Sequence, residues 1–397
     1  MDAWKKVSTN IKEGDTVNLV KQLVRIPSRN PPGEEKAVAE FIATLLMGWG
    51  FEVELVEPMP DRPDVIAWLR GIEGHPTLIL NGHVDVVPEG NPALWSTFPF
   101  EATVKEGKLF GRGVADQKSG LAAMIIAAKA IKEAGVKLRG NLVLTFVSGE
   151  ETSEPGTKHL FTERKLKGDW GIVTEPTSTK SGLKVATAEC GLAYYHILVK
   201  GKSVHASRPH MGINAITKAM KVIQALDRYH QEIGKRWHPL IAPPRCTVTM
   251  IKGGVKENIV PEECVITIDR RMIPTETVAS VEGELRSLFE SIRKEDPEFN
   301  YEITFGKSCE AVEIPLDSEI AKVVKKNLKK VTGIDPEPWA TPYSCDVRNF
   351  VTDAGIPAVV FGPGNVENCH CSNEWVEIEE VITVTKVLAL TALELLS

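Results

Sequence analysis

The sequence predicts an α/β protein whose central sheet is covered by helices on both faces and interrupted by an inserted domain. Three observations lead to this expectation. Short apolar runs typical of strands alternate with helical patterns through the first half of the chain. The middle of the chain changes to the order β-α-β-β-α-β, which is typical of a ferredoxin-like unit. Candidate metal ligands lie on both sides of that unit, so the outer segments must form one domain.

The first outer segment begins with helical spacing of apolar residues and continues with strands that read as buried. An Ala-rich helix follows the third strand and is narrow enough to lie close to a sheet. In chain order the predicted elements are helices at 16–25 and 34–49, strands at 51–56, 64–69 and 77–81, a helix at 121–134 and strands at 141–148 and 170–174.

The inserted unit is placed at residues 183–306, so residues 1–182 and 307–397 form the outer domain. Its predicted elements are a strand at 188–200, a helix at 214–234, strands at 246–252 and 264–272, a helix at 278–295 and a strand at 301–305. After the insert, a helix is predicted at 318–332 and an apolar strand at 358–361.

Composition excludes several classes of function. The chain has 397 residues, which is too long for one ordinary core. A net charge of -6 argues against a nucleic-acid partner and against an anionic membrane surface. The longest apolar stretch, 121–130, is too short to cross a bilayer, and the N-terminus lacks the features of a secretory signal. Seven cysteines without framework spacing predict a reducing, cytoplasmic location.

Two histidines lie in settings that suit metal binding. His83 and Asp85 follow the apolar run of the strand at 77–81, at the carboxyl end where α/β folds place their sites. Residues two apart on an extended chain face the same side, so Asp85 can accept the second ring N–H of His83. His370 lies between two cysteines in a later loop. A surface turn that carries an unrelated histidine is the alternative interpretation of His83.

Asp116 lies in a glycine-rich loop that begins like a dinucleotide-binding fingerprint. That interpretation fails, because Asp116 occupies the third glycine position of the motif, where a carboxylate would repel a pyrophosphate. A carboxylate with two oxygens could instead bridge two cations. A helix-capping role is the alternative.

Three further acids follow predicted strands. Glu150 and Glu151 come after the strand at 141–148, and Glu175 follows the strand at 170–174. One of the adjacent pair could bind metal while its neighbour accepts a proton from an activated water. Imidazoles together with carboxylates are ligands that zinc, cobalt and manganese accept. The sequence therefore predicts a metal-dependent hydrolase with two divalent ions, zinc first among them.

The chain resembles the di-zinc peptidases and deacylases that include acetylornithine deacetylase, succinyl-diaminopimelate desuccinylase, aminoacylase, cytosolic dipeptidases and glutamate carboxypeptidase. The resemblance covers essentially the whole chain and rests on four motifs in order. These are Gly82-His83-Val84-Asp85, the loop from Gly111-Arg112-Gly113 to Asp116, Glu150-Glu151 and the segment from His370 to Glu374.

This resemblance implies a role for each candidate in the outer domain. Asp116 would bridge the two metals, and Glu150 would act as the general acid and base. The remaining assignments are His83 and Glu175 on one metal, Glu151 and His370 on the other, and Asp85 as the partner of His83.

The resemblance also implies that the inserted unit is a lid and often a dimer interface. His205 resembles the histidine that reaches the substrate carbonyl, supplied by the partner subunit in dimeric members. Asn258 resembles a residue that contacts the substrate. Arg271 resembles a residue that binds the substrate carboxylate, because a guanidinium group can donate two parallel hydrogen bonds to the two carboxylate oxygens. A surface histidine and a structural salt bridge are the alternatives.

The implied reaction is hydrolysis of the amide bond of an N-acyl amino acid, in a homodimer acting on a small molecule. A dipeptidase or carboxypeptidase needs the same metals and the same carboxylate partner, so that alternative stays open. An inactive metal-stabilised binding protein is a more distant one, because every required acid and histidine is present. Gln117, where many relatives have methionine, and Cys345, before Asp346, depart from the usual pattern.

Overall fold

The computed structural model describes residues 2–397, which divide into two compact units. The first unit consists of residues up to 187 together with 314–339 and 345–397. The second consists of 188–313 and the short segment 340–344. The middle of the chain thus folds as a unit of its own, and its role as a lid stays a prediction.

Longer helices flank the sheet of the first unit and one face of the second. In chain order they are α1 (Asp2–Asn10), α2 (Glu13–Val24), α3 (Lys36–Gly48), α4 (Ser119–Glu133), α5 (Pro155–Thr162), α6 (Ala215–Ile233), α7 (Val278–Glu295), α8 (Glu319–Thr332) and α9 (Ile378–Leu396). The sequence prediction lacks α1, α5 and α9. Most positions of α9 are buried, so an apolar stripe of helical period does not stand out in its sequence.

The strands are short, and most belong to two sheets. In chain order they are β1 (Glu52–Met59), β2 (Arg62–Leu69), β3 (Thr77–His83), β4 (Thr103–Lys105), β5 (Lys108–Phe110), β6 (Asn141–Val147), β7 (Trp170–Pro176), β8 (Ser178–Thr179), β9 (Gly182–Leu183), β10 (Val185–Glu189), β11 (Gly191–Lys200), β12 (Arg245–Gly253), β13 (Glu263–Met272), β14 (Asn300–Cys309), β15 (Val312–Glu313), β16 (Pro338–Thr341), β17 (Ala358–Gly362) and β18 (Trp375–Glu377).

One predicted strand is wrong in its extent. The segment 188–200 is expected to be continuous, but it contains the end of β10 and all of β11, with Cys190 between them. The two strands have different partners: β10 pairs with β17 of the first unit, whereas β11 pairs with β13 and β14 of the second. An unbroken apolar pattern cannot reveal such a change of sheet.

The sheet of the first unit has the order β1-β2-β6-β3-β7-β17 and continues to β10. Its four central strands, β6, β3, β7 and β17, run parallel to one another. Every residue of β3, β6 and β17 is buried, as expected for parallel strands covered on both faces. Because these strands are parallel, their carboxyl ends meet at one edge of the sheet.

Helices α4 and α9 pack against each other in the core of the first unit. Both are buried on most of their surface, and their apolar side chains belong to one continuous cluster with the sheet. This packing buries the α4 helix directly behind the loop that carries Asp116. The position of that loop therefore depends on the main core.

We expect Leu388→Ala to lower the free energy of unfolding by about 2–5 kcal/mol, because Leu388 is fully buried in α9 and the substitution leaves a cavity. Urea unfolding followed by circular dichroism measures the change. Leu316→Ala is the matched control: Leu316 is 44% exposed, so a change within about 0.5 kcal/mol is expected. Equal effects of the two substitutions would contradict this description of the core.

The second unit contains a four-stranded antiparallel sheet of order β12-β13-β11-β14. Chain order β11-α6-β12-β13-α7-β14 is the predicted β-α-β-β-α-β pattern. Side chains along β13 alternate between buried and partly exposed, and the buried ones join α6 and α7 in a separate core. The predicted α/β fold with an inserted ferredoxin-like unit is confirmed. Among residues 2–397, no helix has the length and apolarity needed to cross a bilayer.

Candidate metal centre

The parallel strands of the first unit deliver the predicted ligands to one edge of the sheet. His83 is the last residue of β3, and Glu175 is the sixth of seven residues in β7. Glu150 and Glu151 follow β6, whose Val147 lies opposite His83 in the strand register. The loop after β17 contains His370. Residues distant in the chain meet here because their strands end together.

Asp116 reaches the same edge from the loop before α4. Gly113 begins this loop with a φ of +81°, a conformation that glycine adopts without strain. Asp116 itself is not helical, and α4 starts at Ser119. Gly120 allows α4 to approach β7 closely, since a Cβ there would lie 2.3 Å from the Thr174 carbonyl oxygen. This close approach holds the Asp116 loop beside the strand ends.

The two oxygens of Asp116 face different histidines. Oδ1 lies 2.9 Å from His83 Nε2, and Oδ2 lies 3.2 Å from His370 Nε2. On the first side, His83 Nε2 is 3.3 Å from Glu175 Oε1. On the second side, His370 Nε2 is 3.1 Å from Glu151 Oε1. The five side chains thus form two imidazole–carboxylate groups that share one aspartate.

These separations are close to those expected between side-chain atoms that bind the same metal ion. Atoms bound to zinc at about 2.0–2.2 Å and tetrahedral angles lie roughly 3.3–3.6 Å from one another. The observed separations of 2.9–3.3 Å are close to that range. Glu150 also offers an oxygen within 4.8 Å of ligand atoms of His83 and Glu175. The nitrogen and oxygen donors fit a pair of divalent cations.

The predicted contact between Asp85 and His83 differs in detail from the expectation. His83 Nδ1 lies 2.9 Å from the carbonyl oxygen of Asp85 and 3.5 Å from its carboxylate Oδ1. The carboxylate instead accepts hydrogen bonds from the backbone N–H groups of Gly149, Glu150 and Glu151. Asp85 therefore orients the histidine with its backbone and holds the turn of the paired glutamates with its side chain.

Burial and mutual repulsion raise the pKa values of the glutamates in this cluster. Burial, together with the nearby Asp116 carboxylate, raises the pKa of Glu175 to about 7. Burial likewise holds the pKa of Glu150 well above its usual value, with added repulsion from Glu175. Buried anions of this kind require a compensating positive charge. A divalent cation would supply that charge.

Metal binding is expected to strengthen as pH rises. Hydrogen bonds to Asp116 and Glu151 raise the pKa of His370 to about 10, so the metal-free protein carries a proton there at neutral pH. A metal must displace that proton, and the displacement becomes easier as the pH approaches the raised pKa. Apparent affinity should rise about tenfold per pH unit for each proton released. Calorimetric zinc titrations between pH 6 and 8 test this, and a pH-independent affinity would contradict it.

Two contacts at this edge lack an evident signal in the sequence. The side-chain oxygen of Gln117 accepts a hydrogen bond from the backbone N–H of His83 at 2.5 Å. The glutamine that stands where many relatives have methionine therefore helps to hold the backbone of a candidate ligand. The buried Glu374 accepts a hydrogen bond from the backbone N–H of Asp116 at 3.1 Å. The sequence places Glu374 in a motif but indicates no role for it.

Three predicted substrate-binding residues lie in the second unit. The backbone N–H of Ser207 donates to Nδ1 of the exposed His205, which leaves Nε2 as the ring nitrogen that can donate a hydrogen bond outward. The Ala206 N–H donates to the Asn258 carbonyl, so these two segments are adjacent. Arg271 donates from Nε and Nη2 to the carboxylate of Asp269. Its other N–H groups are not used in that pair.

Comparisons with known proteins agree with this geometry. Residues 79–394 match the family described as Peptidase family M20/M25/M40. An N-formyl-4-amino-5-aminomethyl-2-methylpyrimidine deformylase from Halalkalibacterium halodurans is 32% identical, covering 93% of this chain and 92% of its own length. A succinyl-diaminopimelate desuccinylase from Thioalkalivibrio sulfidiphilus is 28% identical, covering 94% and 96%.

A solved structure with the same fold is the M20 family metallo-carboxypeptidase from Sulfolobus solfataricus. It has a TM-score of 0.80 at 20% identity and covers 96% of this chain and 99% of its own. The match to the family model spans most of the chain. It includes all five residues of the two imidazole–carboxylate groups. The chain therefore belongs to peptidase family M20/M25/M40, and it is a hydrolase of amide or peptide C–N bonds.

Proposed function

We propose that this protein removes the acyl group from an N-acyl amino acid or a similar amine, using a pair of divalent metal ions. The observation that carries the proposal is the position of Asp116, whose two oxygens face His83 and His370 separately. A single metal would not need a carboxylate placed between two imidazoles. Two metals sharing one bridging carboxylate account for the arrangement.

The ligand assignment follows from the two groups. His83, Glu175 and one oxygen of Asp116 would hold the first ion, while His370, Glu151 and the other oxygen would hold the second. Zinc suits these nitrogen and oxygen donors, and cobalt and manganese are alternatives. When bound, such ions lower the pKa of a water from ~16 towards ~7 and polarise the amide carbonyl.

Glu150 is the proposed proton carrier. Its backbone is fixed by Asp85 and its side chain lies among the ligand groups, next in sequence to Glu151. Glu150 accepts a proton from the attacking water as the water oxygen bonds to the carbonyl carbon. It then gives that proton to the amine nitrogen when the C–N bond breaks. Each proton taken from water thus leaves with the product amine.

The relatives support deacylation rather than peptide cleavage. A deformylase and a desuccinylase, at 32% and 28% identity, both act by removing an acyl group according to their names. The carboxypeptidase that shares the fold is only 20% identical, so its likeness supports the fold alone. Hydrolysis of a small N-acyl compound is therefore the proposed reaction.

Residues of the second unit are proposed to contact the substrate. The protonated Nε2 of His205 could donate to the oxyanion that develops on the carbonyl. Asn258 is exposed beside it and could contact the substrate backbone or acyl group. Arg271 uses Nε and Nη2 in its pair with Asp269, and a substrate carboxylate could bind to other N–H groups of the same guanidinium.

A panel of substrates tests the reaction. The zinc-loaded protein is assayed with N-formyl, N-acetyl and N-succinyl amino acids, with an N-formyl aminomethylpyrimidine that lacks a carboxylate, and with dipeptides. Turnover of an acyl compound at least tenfold above every dipeptide supports the proposal. Preferred cleavage of dipeptides would instead support the peptidase alternative, and no cleavage of any compound would support a binding protein.

We also propose that the protein is a homodimer formed through the second unit. Its edge strand β12 exposes Met250 and Ile251, and the neighbouring helix α6 exposes Ile216 and Met220. Ile216 lies beside Gly253 at the end of β12, so the exposed apolar side chains of α6 lie next to this edge strand. An exposed strand edge beside apolar side chains is suited to pairing with a second copy.

Sedimentation velocity tests the dimer. Wild-type protein is expected to sediment as a dimer, and Met220→Glu with Met250→Lys as a monomer. Ile72→Lys changes an exposed apolar residue of the first unit and serves as the control, which should stay dimeric. A monomeric wild type would contradict the proposal. The cytoplasmic location remains a prediction, and it is supported by seven cysteines of which none forms a disulfide within the described residues.

A further inference from the structure

Glu374 has a carboxylate that is fully buried and surrounded by donors. Its Oε2 accepts from Arg112 Nη1 at 2.6 Å and from the Gly113 N–H at 3.0 Å. Its Oε1 accepts from the N–H groups of Ala115 and Asp116 at 2.8 and 3.1 Å. Four donors around one carboxylate use both oxygens fully. Three of them are backbone groups of the loop that carries Asp116.

A small sheet brings this carboxylate to the loop. Strand β18 pairs antiparallel with β5, so that Trp375 lies opposite Phe110. The Gly111 N–H also donates to the carbonyl oxygen of Glu374 at 3.0 Å. The loop after β5 leads to Asp116, and the loop before β18 contains His370. Glu374 thus joins two of the three chain segments that supply the second metal group, those of Asp116 and His370.

The Asp116 loop needs such a partner, because its backbone is irregular. Asp116 has φ and ψ of −121° and 94°, outside the helical range, and the first turn of α4 starts only at Ser119. The N–H groups of Gly113, Ala115 and Asp116 point to Glu374 rather than to backbone carbonyls. Buried N–H groups left without acceptors would be costly, so the carboxylate determines how this loop is held.

We propose that Glu374 is a positioning residue that fixes Asp116 between His83 and His370 and thereby sets the affinity for the metal pair. The inference rests on the proposed function, since Asp116 must be the shared ligand. Glu374 belongs to neither proposed ligand group; it acts through the backbone of Asp116. Groups that orient metal ligands typically affect metal affinity roughly 10–100-fold.

A purely structural ion pair is the alternative. Arg112 is buried and lies 5.3 Å from the Trp95 ring, so its pair with Glu374 could serve stability alone. In that case, the loss of Glu374 would lower the unfolding temperature but leave the metal affinity of the folded protein unchanged. Metal affinity therefore separates the two roles.

Glu374→Gln tests the proposal with the full-length protein. A glutamine amide has one acceptor oxygen, so its NH2 group must face N–H donors of the loop or of Arg112. Zinc is titrated into metal-free protein by calorimetry, and cobalt binding is followed by its visible absorption. We expect affinity roughly 10–100-fold weaker than in the wild type, together with an altered cobalt spectrum.

Glu377→Gln is the matched control. Glu377 lies three residues later in β18, is 39% exposed at its side chain and pairs with Lys108 at 3.4 Å. The same chemical change there should leave zinc affinity and the cobalt spectrum unchanged. Should Glu374→Gln not fold, the double substitution Arg112→Met with Glu374→Met removes both buried charges together. The same loss of affinity is expected for that protein.

The outcomes are distinguishable. A wild type that binds no pair of metal ions contradicts the proposed function. A wild type that binds two ions, with a folded Glu374 variant of equal affinity and identical spectrum, overturns the positioning role alone. Weaker binding in the Glu374 variant but not in the Glu377 variant supports it.

Discussion

Glu150→Gln is expected to lower kcat roughly 10²–10⁴-fold, the usual contribution of a general acid and base, while both metal ions stay bound. Glutamine has the shape of glutamate but cannot accept a proton from water at neutral pH. The backbone of residue 150 would remain fixed by Asp85, so the turn should keep its form. Steady-state kinetics on the best substrate of the panel and metal analysis of the purified protein measure the two effects.

Glu163→Gln is the control for this substitution. Glu163 has a side chain that is 72% exposed and pairs with His159 on α5, so kcat should not change. Metal content decides between two roles for Glu150, because its carboxylate lies close enough to His83 and Glu175 to be a ligand. Loss of one metal ion from the Glu150 variant would assign it as a ligand, and unchanged kcat would exclude it as the proton carrier.

The location of the site follows from features that a sequence can reveal. Parallel strands read as continuous apolar runs, and the polar residues that end them must share one edge of the sheet. His83 and Glu175 were predictable in this way because β3 and β7 are buried along nearly their whole length. For Asp116, the failed match to a phosphate-binding motif excluded a pyrophosphate site but left a helix cap open, and only the family resemblance implied a bridging role.

Other features depend on contacts that no local pattern encodes. The hydrogen bond from Asp116 N to Glu374 joins residues 258 positions apart, and its donor is a backbone group that every residue other than proline carries. The side chain of Asp85 was expected to accept a hydrogen bond from His83, but it holds the turn that carries Glu150 and Glu151. That turn lies next to Asp85 because of the register between β3 and β6. Helix α9 was missed because burial on most sides removes the polar stripe that marks an amphipathic helix.

Asp116→Asn should remove most activity by weakening both metal ions together. Each carboxylate oxygen faces a different imidazole, so the change from carboxylate to amide removes an anionic ligand from both groups. An asparagine can offer one neutral oxygen to one side only, and its NH2 group would face the other. Activity should fall at least as far as in the Glu150 variant, because loss of the metals also removes the activation of water.

His370→Ala provides the contrast that identifies a shared ligand. His370 contacts Asp116 and Glu151 on one side only, so its removal should release one ion and leave the group of His83, Asp116 and Glu175 able to hold the other. Metal analysis after dialysis at fixed free zinc should then give about one ion per chain for His370→Ala and fewer for Asp116→Asn. If the Asp116 variant kept one ion and the His370 variant lost both, Asp116 would not be the bridging ligand, and the two-metal arrangement would have to be reassigned around His370.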